Sequence, residues 1–224
     1  MRKPCRITSA SSIQLRFHLQ VTMTSTVTAL KSRTWTRDDY LITTNSSLIS
    51  VSDVNAAFAT KEMYWATPLP GEVIRAFLAN NLSFGVYSLP SASTTEETSN
   101  GTNMTSLPPN ATFIGFGRLM TDFVTMAYLT DVFIQPAHQG KGLGRWMLSC
   151  IQESLESMPY LRGSMLYTGD WKRSVPLYEE MLGMSVLEGK RGEDGGGEGL
   201  ASMLKTWKGS PLHEDNGGEI PNDH

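Results

Sequence analysis

The segment that most constrains this chain is DVFIQPAHQGKGLGR at residues 131–145. A branched and aromatic run passes through Pro136 into Gln139, Gly140, Lys141, Gly142, Leu143 and Gly144. A helical apolar period then starts at once, through Leu143, Met147, Leu148, Ile151 and Leu155. Strand, glycine-rich turn and helix follow one another directly. Glycines at such a turn let backbone N–H groups approach an anion, and the helix N-terminus adds its dipole, so the turn is expected to bind phosphate. Glycine is also the default for any tight turn, and those six residues alone leave both readings open. A Walker A loop is excluded, because Gly142 rather than Ser or Thr follows Lys141 and the GxxxxGK spacing is missing. A dinucleotide fingerprint fits poorly: the third glycine is misplaced, Met158 stands where an acid is needed, and roughly half the chain precedes the turn.

The 224 residues suffice for one sizeable core with loose ends. Nineteen Lys and Arg against 22 Asp and Glu give a net charge of -3, with no basic surplus to neutralise phosphates, so nucleic acid is not an expected partner. No run reaches 18 apolar residues, so no membrane span is expected. Cys5 and Cys150 lie far apart and the four histidines are scattered, which argues against a disulfide framework and against a metal site.

Charge marks the first boundary. Residues 1–37 hold Arg2, Lys3, Arg6, Arg16, Lys31, Arg33 and Arg37 and no acid, and are read as a flexible, Ser/Thr-rich segment preceding a domain at 38–208. The segment resembles an organellar transit peptide; the alternatives are a disordered tail, or translation from Met23. The expected compartment is cytoplasmic, or mitochondrial if the segment acts in transit. Low-complexity residues 88–112 are expected to form a long loop, residues 189–199 a Gly-rich loop, and residues 209–224 a flexible acidic tail. Five Asn-x-Ser/Thr sequons begin at Asn45, Asn81, Asn100, Asn103 and Asn110; with no signal peptide evident they read as a product of composition.

Between these segments, periodicity predicts a strand from Tyr40, a short helix that Ser52 can cap, a second helix after Pro70-Gly71, and strands near 82–89, 112–121 and 126–135, with a turn at Asp122. The helix at Leu143, a strand at 163–168, a helix ending at Gly183 and strands at 184–187 and 200–207 follow. The order predicts a mixed α/β, α+β domain: one sheet of about seven strands flanked by about four helices.

Gln139, Gly142 and Gly144 after a strand ending Ile134-Gln135-Pro136 resemble the acyl-CoA pyrophosphate loop of the GNAT acetyltransferase superfamily. Downstream, Val175-Pro176-Leu177-Tyr178-Glu179-Glu180-Met181-Leu182-Gly183-Met184 is similar to that family's closing signature, a Tyr-containing helix ending at a glycine. The likeness covers about residues 38–207. It departs in the two inserts and at Thr168-Gly169-Asp170, where the family often has Asn. The resemblance implies acetyl-CoA as co-substrate and no metal. It implies that main-chain groups of Val132, Phe133 and Ile134 pair with the pantetheine arm. Gln139, Gly140, Lys141, Gly142, Leu143, Gly144 and Arg145 would hold the pyrophosphate, Ser174 would also contact the cofactor, and Tyr178 would be the general acid.

The remaining residues carry less determinate expectations. Asp131 is an acid in an apolar strand, which is costly unless paired or functional; catalysis or acceptor binding on one side and a structural hydrogen bond on the other are equally open. Tyr128 could relay a proton through water or contact the acceptor. Glu62, Tyr64 and Trp65 offer a carboxylate and flat apolar faces to an amine, although core packing explains Trp65 nearly as well. The leading expectation is direct acetyl transfer to the primary amine of a small metabolite, amino acid or similar acceptor. A non-catalytic acyl-CoA sensor and a protein N-terminal or lysine acetyltransferase are the alternatives, and a homodimer stays open.

Overall fold

A computed structural model describes residues 26–90, 104–188 and 201–207. The proposed Gly-rich loop and acidic tail, most of the 88–112 loop and residues 1–25 lie outside the described residues.

Residues 26–30 are helical and lead into a hairpin, β1 (Thr34–Arg37) and β2 (Tyr40–Thr43), that turns at Asp38 with a left-handed φ of 51°. Then come α1 (Val51–Phe58), α2 (Gly71–Asn80), β3 (Leu82–Ser88), β4 (Thr112–Thr121), β5 (Met126–Ile134) and α3 (Leu143–Glu156). β6 (Gly163–Thr168), α4 (Ser174–Leu182), β7 (Ser185–Glu188) and β8 (Ala201–Thr206) complete the described chain. One eight-stranded sheet runs β1-β2-β3-β4-β5-β6-β8-β7, with every neighbouring pair antiparallel except β5 and β6. The mixed α/β layout is as expected, with one strand more.

That extra strand corrects the boundary at residue 37. Leu30 is fully buried and Trp35 nearly so, and the Trp35 indole donates to Glu153 Oε2 on α3 at 2.9 Å while its ring stacks on Phe84 at 6.1 Å. Residues 26–37 therefore belong to the domain. The far end of the 88–112 loop lies against the domain: Met104, Leu107 and Ala111 pack against the core, and Asn45 Nδ2 donates to the Met104 carbonyl at 3.0 Å.

Local chemistry sets the element ends. Ser50, rather than Ser52, caps α1 by accepting the Asp53 N–H. Gly183, at φ 59°, closes α4 in the left-handed cap that glycine adopts without a Cβ penalty. Asp122 makes the turn before β5: its carboxylate accepts N–H bonds from Val124, Thr125 and Met126 and the Thr125 hydroxyl. Burial pushes its pKa upward, but these four bonds outweigh it and hold the carboxyl well below the usual range.

Two apolar clusters sandwich the sheet. On one face α3 and α4 supply Met147, Leu148, Ile151, Leu155, Val175 and Leu182, and Leu30 and Trp35 join them. On the other, α1 and α2 contribute Val54, Phe58, Ile74 and Leu78, packed against Tyr87, Phe113, Phe116 and Phe133. Trp35→Ala is expected to lower the unfolding free energy by about 3–5 kcal/mol in urea melts, the usual range for emptying a buried aromatic site. A residue in a flexible leader would change it by less than about 0.5 kcal/mol.

Candidate active site

β5 is hydrogen-bonded to β4 as far as Ile134, but its parallel pairing with β6 ends after three residues, at Tyr128 opposite Met165. Beyond that point the strands part and leave the β6-side edge of β5 facing a cavity of about 640 Å³. Three regions line it. Glu62, Tyr64 and Trp65 come from the connection between α1 and α2; Tyr128 through Ile134 come from β5, with Gln139 beyond; Leu166 through Asp170, Arg173, Ser174 and Tyr178 come from β6 and α4. Segments distant in sequence thus meet where one strand loses its neighbour.

The glycine turn lies at the exit of β5. Gly140 and Gly142 have φ of 77° and 73°, and Gly142 caps α3 without any side-chain hydrogen bond. The first intrahelical bond is the Trp146 N–H to the Gly142 carbonyl at 3.0 Å, so the N–H groups of Leu143, Gly144 and Arg145 precede the ladder. A Cβ at position 140, 142 or 144 would meet no heavy atom within 4 Å, so the turn is not packed under other side chains there. Uncapped donors, the helix dipole and open space together fit a diphosphate. The turn is braced from behind: Gln139 Nε2 donates to the Ile134 carbonyl at 2.8 Å, and Arg37 donates to the Lys141 carbonyl at 3.2 Å with its guanidinium 4.8 Å above the Trp146 ring. The Arg145 side chain pairs with Glu180 on α4, which raises the arginine and lowers the glutamate pKa. Its main chain, not its charge, remains for the turn. Lys141 is exposed.

Asp131 departs from a free base. It is 6 % exposed, and its Oδ2 accepts from Arg118 Nε and Nη2, both at 2.7 Å, while Thr130 Oγ1 donates to Oδ1 at 3.2 Å. The acid sits in an apolar strand because a guanidinium neutralises it, which is the structural alternative of the two left open by sequence. Tyr178 lines the cavity; burial, and then the negative charge of Asp170, push its phenol up to about 12. It stays a neutral hydrogen-bond donor throughout the physiological range. Ser174 opens α4 at the cavity wall, its N–H donating to the Asp170 carbonyl at 3.0 Å.

At the other end of the cavity Tyr64 and Trp65 meet edge to face at 5.0 Å, both substantially exposed, and the Tyr128 and Tyr167 rings lie 5.9 Å apart. Glu62 is exposed and makes no ion pair among the described residues. The lining residues that escape sequence reasoning include Tyr167, Asp170 and Arg173. Tyr167 follows the inward Leu166 on β6, so strand alternation alone could have placed it outside the core. Asp170 accepts the Arg173 N–H at 2.9 Å and pairs with the Arg173 guanidinium at 3.4 Å, a turn-forming role that its sequence position before a helix does signal. Cys150 behaves as the packed side chain expected of it, its thiol pushed up to about 12 by burial. Among the described residues no helix is long and apolar enough to cross a membrane.

The chain is similar to known proteins in sequence and in fold. Residues 77–184 match the family model described as the acetyltransferase (GNAT) family. A Gibberella zeae protein bearing the name "Putative acetyltransferase" is 38 % identical over 154 residues, covering 69 % of this chain and 84 % of its own length. Among solved structures, a GNAT-family acetyltransferase of Streptococcus pneumoniae superposes with a TM-score of 0.52 at 17 % identity, covering 75 % of this chain and 99 % of its own. Spermidine N-acetyltransferase of Vibrio cholerae, in complex with CoA and spermine, gives a TM-score of 0.52 at 15 % identity, covering 76 % and 96 %. At those identities the two structures speak to the fold alone. The family model and the fungal relative carry the assignment: the chain belongs to the GNAT acetyltransferase family and is an acyltransferase.

Proposed function

We propose that this chain transfers an acetyl group from acetyl-CoA directly to the primary amine of a small acceptor that carries no carboxylate. The observation that carries the reading is the parting of β5 and β6, which sets a free strand edge and a half-buried tyrosine around one cavity, with the uncapped glycine turn following Gln139 at its wall. The co-substrate supplies a thioester carbonyl that an amine can attack. Gly140 through Arg145 hold its diphosphate through backbone N–H groups, and the exposed edge of β5 at Val132 to Ile134 aligns its arm. One N–H of that edge faces the oxygen that gains charge, a contribution of about 3 kcal/mol in comparable sites.

The C–N bond forms as the C–S bond breaks, and the sulfur keeps the bonding pair. Tyr178 donates a hydrogen bond and then its proton to that sulfur, and the phenolate recovers a proton from the solvent. The amine's proton leaves through water held at Tyr128, because Asp131 is committed to Arg118.

Charge argues for the acceptor class. Arg173 is the one cation among the described lining residues, and it turns to Asp170 with its side chain 85 % exposed. A carboxylate on the acceptor finds no free partner, whereas Glu62 and four aromatic faces suit an ammonium group. Amino acids are therefore disfavoured against simple amines.

Calorimetry of the full chain with acetyl-CoA, followed by thiol release against amines, amino acids and peptides, tests the reading. Binding with thiol release driven by carboxylate-free amines is expected. Binding without release across the panel would favour a sensor, and preference for peptides a protein-directed enzyme. Tyr178→Phe is expected to lower kcat by about a hundredfold while leaving the Kd for acetyl-CoA unchanged. Because the phenol keeps its proton up to about 12, kcat/KM is expected to rise with pH as the acceptor ammonium deprotonates, with no falling limb from Tyr178 in the assayable alkaline range. Glu62→Gln is expected to raise KM for a cationic amine about two- to fivefold, and the difference should shrink in high salt because the carboxylate is exposed.

A further inference from the structure

β5 changes sides halfway along. Ala127 and Leu129 belong to the cluster under α3, and strand alternation would send Asp131 and Phe133 after them. Phe133 packs instead under α1 and α2, and Ile134 takes the α3 side. The cause is a bulge. Phe116 pairs with Phe133 and Arg118 with Thr130, so Asp131 and Val132 share the single position opposite Gly117. Asp131 takes a left-handed φ of 56°, a conformation that aspartate tolerates better than most residues bearing a Cβ.

Such a bulge needs something to keep it from slipping, since moving one residue along the ladder reverses every later side chain. The Arg118 fork meets Asp131 Oδ2 with two donors at 2.7 Å, on the strand opposite and beside the bulged position. Arg118 is fixed in turn from the helix layer, its guanidinium 4.7 Å above the ring of Phe77 on α2. Both partners are largely shielded, the side chains 17 % and 6 % exposed, so water competes little for the pair.

We propose that Arg118 and Asp131 are positioning residues that lock the β5 bulge and thereby set the register in which the main chain of Val132, Phe133 and Ile134 meets the cofactor arm. The inference rests on the acetyl-CoA reading above. It gives the buried carboxylate a part in catalysis that involves no proton transfer: the pair acts through the backbone of the three residues that follow Asp131.

The test compares Asp131→Asn, Asp131→Gly and Arg118→Met in the full chain, measuring acetyl-CoA Kd by calorimetry, kcat and KM for both substrates, and the pH profile. Asn tolerates the left-handed conformation and keeps an oxygen for Arg118; it should stay within about threefold of wild type in acetyl-CoA Kd, with an unaltered pH profile. Gly permits the conformation but removes the clamp. It should raise Kd and KM for acetyl-CoA together by about tenfold or more, with KM for the amine little changed. Arg118→Met should do the same; it also leaves a buried carboxylate unpaired, so if that variant fails to fold the glycine variant decides. The proposal is overturned if Asp131→Gly binds acetyl-CoA as tightly as wild type. It is equally overturned if Asp131→Asn abolishes kcat or its pH dependence at unchanged acetyl-CoA affinity, because Asp131 would then be the base. Wild-type protein that does not bind acetyl-CoA would sink both this inference and the reading beneath it, whereas binding that the variants leave untouched sinks this one alone.

Discussion

β5 is bonded along nearly its whole length on one edge and for only three residues on the other, and the rest of the site depends on that imbalance. In a closed sheet its outer N–H and C=O groups would be used up by a neighbour. Here β6 parts from β5 after Met165, while its other edge stays paired with β8 over its whole length from Gly163 to Thr168. That continuous antiparallel ladder keeps β6 in the sheet where its contact with β5 has ended. The two strands are joined through α3, as a parallel connection requires, and the same connection puts the helix N-terminus at the end of the free edge. Anion cradle and open strand edge are two results of one crossover.

The two apolar layers hold the parted strands at a fixed separation. α3 and α4 pack on one face, with Val175 and Leu182 buried beside Met147 and Ile151, so α4 cannot drift from the sheet without opening that core. Tyr178 lies on this helix between two buried positions, and its ring packs partly on the same cluster. Its placement against the cavity is thus a consequence of helix packing. Arg145 and Glu180 add an exposed contact between α3 and α4. An exposed pair of this kind contributes little stability beside the apolar contacts.

Much of this was legible because it is local. The Gln139 to Gly144 turn, the apolar period of α3 and the Tyr178 helix ending at Gly183 are each written within about fifteen residues, and each stands where the pattern puts it. What escaped depends on distance or on a competing signal. Thr34-Trp35-Thr36 has strand composition, but the acid-free run of basic residues around it suggested a leader, and the partners that order it, Glu153 and Phe84, are far along the chain. The role of Asp131 could not be chosen from sequence because its partner, Arg118, lies thirteen residues earlier on the opposing strand, and only the register across the hairpin brings them together. Tyr167 and Arg173 reach the cavity through the parting of β5 and β6, a tertiary event with no short sequence mark.

Locking Asp131 away is consistent with the proton balance of the proposed reaction. An alkylammonium that ends as an amide gives up two protons while the departing sulfur takes one, so one must reach the solvent. Asp131 is not free to take it, because its carboxylate is held by two donors of Arg118. Water can remove that proton from the ammonium before attack, and the neutral fraction of the amine sets the rate. The sulfur presents the opposite problem. A phenol near 12 is a weaker acid than a thiol near 8.5, so complete transfer from Tyr178 is uphill by roughly 5 kcal/mol unless the phenolate is reprotonated. The hydroxyl therefore acts first by hydrogen bonding to the developing thiolate, where a pre-placed neutral donor is effective, and the final proton exchange is completed with solvent. A site of this kind needs a well-placed donor, an exit for water and a rigid strand edge. Asp131 serves the last of these requirements in the form of an ion pair, and a free buried carboxylate would serve none of them.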